Sequence, residues 1–335
     1  MEIAFLFTSP REEIAARLKR RQEPDTPLRG WNHMPGARFF SAHPKSIRSF
    51  LLFPKLLAYD FVIAQDHFLL GCAVSVFARM RHHKTKWICV AIHTSVLMRR
   101  HAKNPVRRLF LRTCLRSYAH IVTLSSAQRN DLLQLGIRPD RITFIPFGVD
   151  VDFFDTVSNQ AGTYVLTVGR DAGRDYATFL GAAALTKHPV VVVAGDKNIF
   201  KDILIPPNVT LYYNKSATQV KDLYQHARMV VVASKDVSVL DGSDCSGQTV
   251  ILDSLAARRP AIATRLPWIT DYFIPGGEIL VVDPHEPATL AQTIDALWDN
   301  EGLRSRIATA GHVKVVANYT TKRFADALYT LMKKL

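Results

Sequence analysis

Short apolar runs alternate along the chain with amphipathic stretches that carry helical spacing. In the first half the apolar runs predict strands at Ile3–Phe7, Phe61–Ala64, Trp87–Ile92, His120–Leu124 and Ile142–Ile145. The stretches between the runs predict helices at Arg11–Arg21, Leu69–Met80, Val106–Tyr118 and Ala127–Leu135. Strands that alternate with helices in this way are typical of parallel sheets built from repeated βα units.

The same alternation restarts after Val151–Gly162, a segment without clear periodicity that is typical of a linker. Beyond the linker, strands are predicted at 163–169, 189–195, 209–213, 229–234, 260–264 and 278–282. Helices are predicted just after Asp244–Thr249 and at Ala177–Leu185, Ala217–His226, Ala288–Trp298, Glu301–Ala310 and Thr321–Leu335.

Two βα series joined by a linker indicate an α/β protein with two doubly wound, Rossmann-like domains. We predict one domain over 1–150 and a second over 163–320, with a central cleft between them. The C-terminal helix, 321–335, is expected to follow the second domain, and one arrangement returns it towards the first. Ligands of such sheets bind at the carboxyl ends of the strands.

The composition of the chain bears on where in the cell the protein is expected to be found. The longest mainly apolar run, Phe68–Ala78, is about half of what a membrane-spanning helix needs. Acidic Glu2 stands before the first strand, where a signal peptide would carry basic residues. The four cysteines are far apart and without a CxxC pair, so we expect no disulfide framework, no zinc site and a reduced, cytoplasmic setting. They are Cys72, Cys89, Cys114 and Cys245.

The net charge of +14 belongs entirely to the first half of the chain. Residues 1–150 contain 24 Lys and Arg against 10 Asp and Glu, whereas residues 151–335 contain 19 of each. Eleven of the basic residues lie between Arg79 and Arg116, where no acid occurs. Because an anionic bilayer attracts basic residues near its surface, we predict peripheral binding of the first domain to the inner face of a membrane.

The basic region includes the predicted helix Val106–Tyr118. Its apolar side chains are spaced to give one face, which we expect to pack into the domain while the arginines around it are solvated. The apolar residues are Leu109, Phe110, Leu111, Leu115 and Tyr118, and the arginines are Arg107, Arg108, Arg112 and Arg116.

Motifs from about Trp87 onward occur in an order and spacing that resemble the retaining glycosyltransferases of family 4. "VTLSSAQRNDLLQLGIRPDRITFIPFGVDVDFF" resembles the domain-joining signature of that family, and "LTVGRDAGRDYATFLGAA" resembles its "VGR…KG" segment. "DLYQHARMVVVASKD" and "DCSGQTVILDSLAARRPAIAT" are similar to the approach to the donor loop and to the Glu-x7-Glu region. The resemblance implies the two-domain GT-B fold and a nucleoside-diphosphate sugar as donor substrate.

The loop before the predicted helix carries small and polar residues that suit an anion. Helix-start N–H groups are unpaired and partly positive, and small residues let phosphate oxygens approach the backbone. The resemblance implies that Ser246, Gly247, Gln248 and Thr249 bind the donor diphosphate. It also implies that Asp253, further along the helix, accepts the ribose hydroxyls.

Arg170 and Arg174 follow a predicted strand and are expected to stabilise the charge that grows on the departing diphosphate. Paired cations do this without a metal, and neither a metal nor a cofactor is expected. The alternative is that both arginines lie at the surface, paired with Asp171 and Asp175.

Further site residues follow from the resemblance. His93, at the end of the predicted strand Trp87–Ile92, matches a histidine that contacts the transferred sugar or the phosphate, although a satisfied core histidine is equally expected. Tyr213 and Asn214 stand where the family contacts the base. No protein nucleophile is assigned, and the acceptor is expected to be a lipid-linked or membrane-associated glycan.

Departures from the family leave other functions open. Cys245 stands where the first Glu of the Glu-x7-Glu region is expected, and "TSPREE" replaces the Gly-rich turn after the first strand. Cys245 favours a non-catalytic protein that binds nucleotide sugars. A nucleotide-sugar epimerase of the same fold would need additional acid–base carboxylates. Nucleic-acid binding is disfavoured because the basic stretches lack interleaved aromatic residues.

Overall fold

The computed structural model describes residues 1–41, 51–65, 84–155, 162–239 and 241–335. The chain divides into two compact units. The first comprises Met1–Lys19, Asp25–Phe147 and Thr321–Leu335, and the second comprises Arg20–Pro24 and Gly148–Thr320. In the described part of the chain each unit contains a parallel sheet of six strands, which confirms the predicted α/β class with two doubly wound sheets.

The sheet of the first unit has the strand order β2-β1-β3-β4-β5-β6. All five predicted strands are present with small shifts at their ends, and β2 is an additional edge strand. The strands are β1 (Ile3–Phe7), β2 (Arg38–Ser41), β3 (Phe61–Gln65), β4 (Lys86–Val90), β5 (His120–Thr123) and β6 (Ile142–Phe144).

The helices of the first unit are α1 (Glu12–Lys19), α2 (Phe53–Leu56), α3 (Thr94–Arg100), α4 (Pro105–Ser117), α5 (Ser126–Gln134) and the C-terminal helix Thr321–Lys334. Single 3-10 turns occur at Thr26–Leu28, Trp31–His33 and Pro139–Arg141. The C-terminal helix packs on this unit closely enough that a Cβ on Gly30 would lie 2.8 Å from the Cβ of Ala325. Its first residue, Thr321, donates from its hydroxyl to the buried carboxylate of Asp25 at 2.9 Å.

The sheet of the second unit has the order β12-β11-β10-β7-β8-β9. Its strands are β7 (Tyr164–Gly169), β8 (Val190–Ala194), β9 (Val209–Tyr213), β10 (Ala227–Val232), β11 (Ala261–Thr264) and β12 (Leu280–Val282). Its helices are α6 (Val151–Phe154), α7 (Tyr176–Leu185), α8 (Ala217–His226), α9 (Gln248–Ala256), α10 (Ile269–Tyr272), α11 (Pro287–Asp299) and α12 (Glu301–Asn318), with a 3-10 turn at Lys197–Phe200.

Several predicted elements differ from the structure. The segment taken as a linker begins with the helix α6, because the side chain of Asp150 accepts from the Phe153 N–H and caps it. The helix predicted at Glu301–Ala310 continues to Asn318. The predicted helix Leu69–Met80 lies outside the described residues, as does the rest of the linker from 156 to 161.

The single apolar face predicted for 106–118 is wrong. Leu111, Leu115 and Tyr118 are buried in the core of the first unit, but Leu109 is 63% exposed and Phe110 is 49% exposed. The apolar residues of α4 therefore lie on two sides of the helix. Among the described residues, no helix has both the length and the apolar character needed to cross a bilayer.

Candidate functional site

The strand order of the second sheet reverses between β7 and β10. The chain continues from β7 to β8 and β9 on one side, and from β10 to β11 and β12 on the other. Ligands of doubly wound sheets bind outside the carboxyl ends of the strands at such a reversal. The residues that follow β7 and β10 therefore define the candidate site of this unit.

The helix α9 begins beside these two strand ends. Its N-cap is Gly247, whose φ is 82°, and none of the side chains that the structure describes caps the helix. Ser234, which follows β10, donates from its hydroxyl to the Ser246 carbonyl at 3.3 Å. An uncapped helix start presents N–H groups and partial positive charge, so it attracts anions such as phosphate.

Arg174 lies against this helix start and is only 4% exposed. A Cβ on Gly247 would lie 2.6 Å from its Nη1, and a Cβ on Gly169 would lie 2.7 Å from its Nε. Two glycines therefore leave the space that the guanidinium fills. Its Nη2 donates to Thr167 Oγ1 at 3.2 Å, whereas Nε and Nη1 have no hydrogen-bond partner among the described residues.

The electrostatics around Arg174 are those of an anion site. Burial lowers the pKa of Arg174, although a guanidinium stays charged at neutral pH. Its charge and the positive end of α9 are adjacent, and within the described part of the chain its Nε–H and Nη1–H groups have no hydrogen-bond partner. Tyr176, Tyr224 and Asp171 act on the pKa of Arg174 in the opposite direction, but burial is the larger effect. Burying the charge therefore costs free energy in the unliganded protein, and a diphosphate would offset that cost by interacting with both features.

Asp171 holds the loop around the helix start. Its Oδ1 accepts from the Gly173 N–H at 2.7 Å and from the Ser246 hydroxyl at 3.1 Å. Its Oδ2 accepts from the Ser243 N–H at 3.0 Å. The carboxylate thus joins the segment after β7 to the segment before α9. From the sequence, Asp171 is expected only in the alternative, as an ion-pair partner of the arginines, although its place two residues after a strand at the reversal is a signal for a loop-forming residue.

The alternative of surface arginines paired with acids does not hold. Asp175 caps α7 by accepting from the Thr178 N–H at 3.0 Å. Arg170 is exposed and its Nη2 donates to the Lys215 carbonyl at 3.2 Å. The two arginines therefore differ, because Arg170 lies at the surface beyond β9 and Arg174 is buried beside α9.

Replacing Gly247 by Ala should be more damaging than the same change at Gly276. Both residues have positive φ, 82° and 79°, which costs about 1–2 kcal/mol for a residue with a Cβ. Nothing lies within 4 Å of a Cβ on Gly276, whereas a Cβ on Gly247 would overlap Val232 Cγ1 and Nη1 of Arg174. Urea unfolding should show the larger loss of stability for Gly247→Ala, by about 1–3 kcal/mol more. Equal losses would mean that the helix start has room for a side chain.

Asp253 lies on α9 and retains some contact with solvent, although its Oδ1 is buried and has no hydrogen-bond partner among the described residues. Burial and the nearby charge of Asp150 raise its pKa well above the ordinary value. Burial and Asp253 also raise the pKa of Tyr224, while Arg174 acts in the opposite direction. Tyr224 therefore lies within electrostatic range of both charged groups.

The other residues that are expected to bind the nucleotide sugar differ in their burial. Gln248 is 3% exposed, and its Nε2 is buried without a partner in the described structure, while Thr249 is half-buried. Tyr213 and Asn214 are both exposed at the end of β9. Asn214 has a φ of 49° and its N–H donates to the Ala194 carbonyl at the end of β8. These two residues occupy the carboxyl edge, beside the Lys215 carbonyl that Arg170 contacts.

Two family models match consecutive parts of the chain. The glycosyl transferase 4-like domain matches residues 4–148, and the domain of the glycosyl transferases group 1 matches residues 149–313. The chain belongs to the group 1 glycosyltransferases. The boundary between the two matches, at 148/149, is close to the division between the two compact units at Phe147 and Gly148.

Known proteins support the same fold. The sucrose-phosphate synthase of Thermosynechococcus elongatus has a TM-score of 0.74 at 15% identity, over 100% of this chain and 98% of that one. The Anabaena protein HepE, in a complex with UDP and glucose, has a TM-score of 0.73 at 15% identity over 100% of both chains. Identities this low show the fold alone, and the two structural matches confirm the predicted GT-B class.

A curated relative matches part of the chain. The D-inositol 3-phosphate glycosyltransferase of Acidothermus cellulolyticus is 27% identical over 219 residues, which cover 56% of this chain and 47% of the relative. The match therefore spans about half the length of that protein.

In this group 1 glycosyltransferase the predicted histidine is not at a strand end. β4 ends at Val90, and His93 is the exposed N-cap residue of α3 in the first unit. Gln128 explains the early end of the strand, because its Nε2 donates to the Ala91 carbonyl and its Oε1 accepts from the Leu124 N–H. A satisfied core histidine is therefore excluded at position 93.

The position of the first acid in the Glu-x7-Glu region is buried in this glycosyltransferase. Cys245 is 8% exposed and directly precedes Ser246 in the loop before α9. The Cys245 carbonyl accepts from the Gln248 N–H, so the residue contributes its backbone to the turn. In the described residues no group of three His, Cys, Asp or Glu side chains is placed to hold a metal ion.

Proposed function

We propose that this protein transfers a sugar from a nucleoside-diphosphate sugar to an acceptor hydroxyl with retention of configuration. The observation that carries the proposal is the buried guanidinium of Arg174, whose Nε and Nη1 have no hydrogen-bond partner among the described residues and lie beside the start of α9, which no described side chain caps. A diphosphate is the anion that fits two adjacent positive features. The solved relative HepE holds UDP, which makes UDP the first nucleotide to test.

Loss of the diphosphate is the chemically demanding part of such a transfer. Negative charge grows on the leaving oxygen as its bond to the sugar breaks, so fixed positive charge accelerates the step. Arg174 and the α9 N–H groups supply that charge from within the fold, and Arg170 supplies it from the surface. We therefore propose a reaction that needs no metal ion, with no protein nucleophile.

The nucleoside is proposed to bind through Asp253 and the end of β9. An ionised carboxylate accepts two hydroxyl hydrogen bonds, and Oδ1 of Asp253, which has no partner among the described residues, is available to accept from a ribose hydroxyl. Exposed Tyr213 offers a ring against which a base can stack, and Asn214 has an amide that can read its edge. In the first unit, exposed His93 is proposed to contact the transferred sugar or the phosphate.

The acceptor is proposed to be a glycan or glycolipid at the inner face of a membrane, with the protein cytoplasmic and peripherally attached. The support is the division of charge, because the half matched by the 4-like domain carries the whole excess of +14. An anionic acceptor also has a precedent in the curated relative, which is named for D-inositol 3-phosphate.

A second candidate is a protein that binds nucleotide sugars without transferring them. Cys245 favours it, because a buried thiol stands where the resemblance implies an acid. Nucleotide binding is common to both candidates, so binding alone does not distinguish them.

Incubation with a panel of labelled nucleotide sugars distinguishes transfer from binding. We expect release of the nucleoside diphosphate from one member of the panel, and undiminished release in the presence of a chelator. Binding without release, for the whole panel and with membrane extracts as acceptor, would leave the non-catalytic candidate.

Arg170→Ala should slow release of the nucleoside diphosphate more than it weakens binding of the nucleoside without phosphates.

A further inference from the structure

The turn between α3 and α4 and the first residues of α4 form an exposed surface of the first unit. Each of the nine residues from Ala102 to Phe110 is exposed. Within this stretch Val106 is 76% exposed, Leu109 is 63% exposed and Phe110 is 49% exposed. We call Ala102–Phe110 the α4 tip.

The three apolar side chains of the α4 tip share one side of the helix. Residues three and four apart on a helix are neighbours, so Val106 lies beside both Leu109 and Phe110. The opposite side of α4 packs into the core through Leu111 and Leu115. The exposed side chains are therefore not needed for the packing of α4, and they form a second apolar face that points to solvent.

Basic residues accompany this apolar face. Lys103, Arg107 and Arg108 belong to the same nine residues, and none has a carboxylate partner within the described structure. The Nη1 of Arg107 instead contacts His101 Nδ1 at 3.3 Å. The Asn104 side chain accepts from the Arg107 N–H and caps α4, which fixes the orientation of the tip. Arg108 lies on the opposite side of α4, where it lines a cavity with Met98 and Leu111. The α4 tip thus combines three exposed apolar groups with Lys103 and Arg107, neither of which has a carboxylate partner in the described part of the chain.

The topology places the α4 tip towards the ligand edge of the first sheet. The far end of α4 lies at the amino edge, where the Ala119 N–H donates to the carbonyl of Trp87 near the start of β4. A helix of 13 residues is about 20 Å long, so the start of α4 lies near the opposite, carboxyl edge. Ligands of doubly wound sheets bind at that edge.

We propose that the α4 tip docks on an anionic bilayer, with Val106, Leu109 and Phe110 in the boundary between headgroups and acyl chains and with Lys103 and Arg107 on lipid phosphates. This deepens the proposed function, since it names the surface that would meet a membrane acceptor. An apolar face bordered by Lys and Arg is typical of segments that lie in a membrane interface. A protein partner is disfavoured because the core of a protein–protein interface is depleted of charge. A nucleic acid is disfavoured because its phosphates bind Lys and Arg and make no favourable contact with exposed Leu and Phe.

Vesicle flotation with matched variants tests the proposal. The triple variant Val106→Ser, Leu109→Ser, Phe110→Ser removes the apolar face, and Leu204→Ser removes a 90% exposed leucine from the second unit as a control. With vesicles of phosphatidylglycerol and phosphatidylcholine at low salt, we expect the wild type and the control to float. The triple variant should bind at least about tenfold more weakly. Vesicles of phosphatidylcholine alone, or high salt, should reduce binding of the wild type.

A second measurement locates the inserted residue. Phe110→Trp should lose fluorescence when lipids brominated in the upper acyl chain are added, whereas Leu204→Trp should not. Failure of the wild type to float, or equal flotation of the triple variant, would overturn the proposal. UDP binding is measured on every variant, because it shows that the protein is folded and tests the donor site independently of the membrane. A protein that binds UDP and ignores vesicles would keep the proposed transfer and lose the α4 tip.

Discussion

Arg174→Met is expected to make the unliganded protein more stable and to weaken its binding of UDP. The guanidinium is 4% exposed, and its Nε and Nη1 lack partners among the described residues. Replacing a poorly compensated buried charge by an apolar side chain of similar volume is often stabilising, by about 1–4 kcal/mol. Loss of a charged phosphate contact weakens binding by about tenfold to a hundredfold. Thermal unfolding and calorimetric titration measure the two effects.

Arg228→Met in the same unit is the matched control for this change. Its Nε and Nη2 donate to the Trp298 carbonyl at 3.1 and 2.9 Å, and its guanidinium lies 4.7 Å from the Trp298 ring centroid. Because the Nε–H and Nη2–H groups of Arg228 have hydrogen-bond partners, Arg228→Met should lower stability and leave UDP affinity unchanged. If Arg174→Met also lowered stability in the absence of ligand, Arg174 would be a structural residue of the loop and its assignment to the phosphates would fail.

The parallel sheets are predictable because their strands are buried on both faces and appear in the sequence as short apolar runs. β3 and β8 are buried along their whole length, and both are predicted within one residue. β2 is not predictable in this way, since Arg38–Ser41 is an edge strand with no fully buried residue. Burial on two faces is thus the property that the apolar pattern reports.

The orientation of α4 shows a limit of that pattern. Helical spacing groups apolar residues by angle, but it does not distinguish a face that packs on a sheet from one that meets another environment. Leu109 and Leu111 are the same residue type on the same helix, yet Leu109 is 63% exposed and Leu111 is 4% exposed. Only the position of the sheet decides which of them is in the core.

The candidate site was predictable in its location more than in its detail. A strand end, a loop of small residues and a helix start identify the reversal point from the sequence. Arg170 and Arg174 look equivalent there, yet one is exposed and the other is buried. The difference depends on the space that Gly169 and Gly247 leave for a guanidinium, which is a three-dimensional property.

Asp253→Asn is expected to stabilise the unliganded protein at neutral pH. Burial and Asp150 raise the pKa of Asp253 in the folded state, so the folded protein holds this proton more firmly than the unfolded chain does. The resulting penalty is absent below the unfolded pKa of about 3.9, grows as pH rises above it and is complete above the folded pKa. The gain in melting temperature from Asp253→Asn should therefore shrink as pH falls towards 4. Asp222→Asn, at an exposed position on α8, is the matched control.

The same substitution should weaken UDP binding by about tenfold to a hundredfold, because a neutral amide replaces a charged acceptor of the ribose hydroxyls. A nucleotide without those hydroxyls makes the result specific. We expect 2′,3′-dideoxy-UDP to bind the wild type and Asp253→Asn with similar affinity, since this nucleotide has no ribose hydroxyls for residue 253 of either protein to bind. Wild-type affinity for UDP should also rise with pH as the Asp253 carboxyl ionises. An equal loss of affinity for both nucleotides would mean that Asp253 acts on the fold of α9, and the ribose contact would then have to come from another residue.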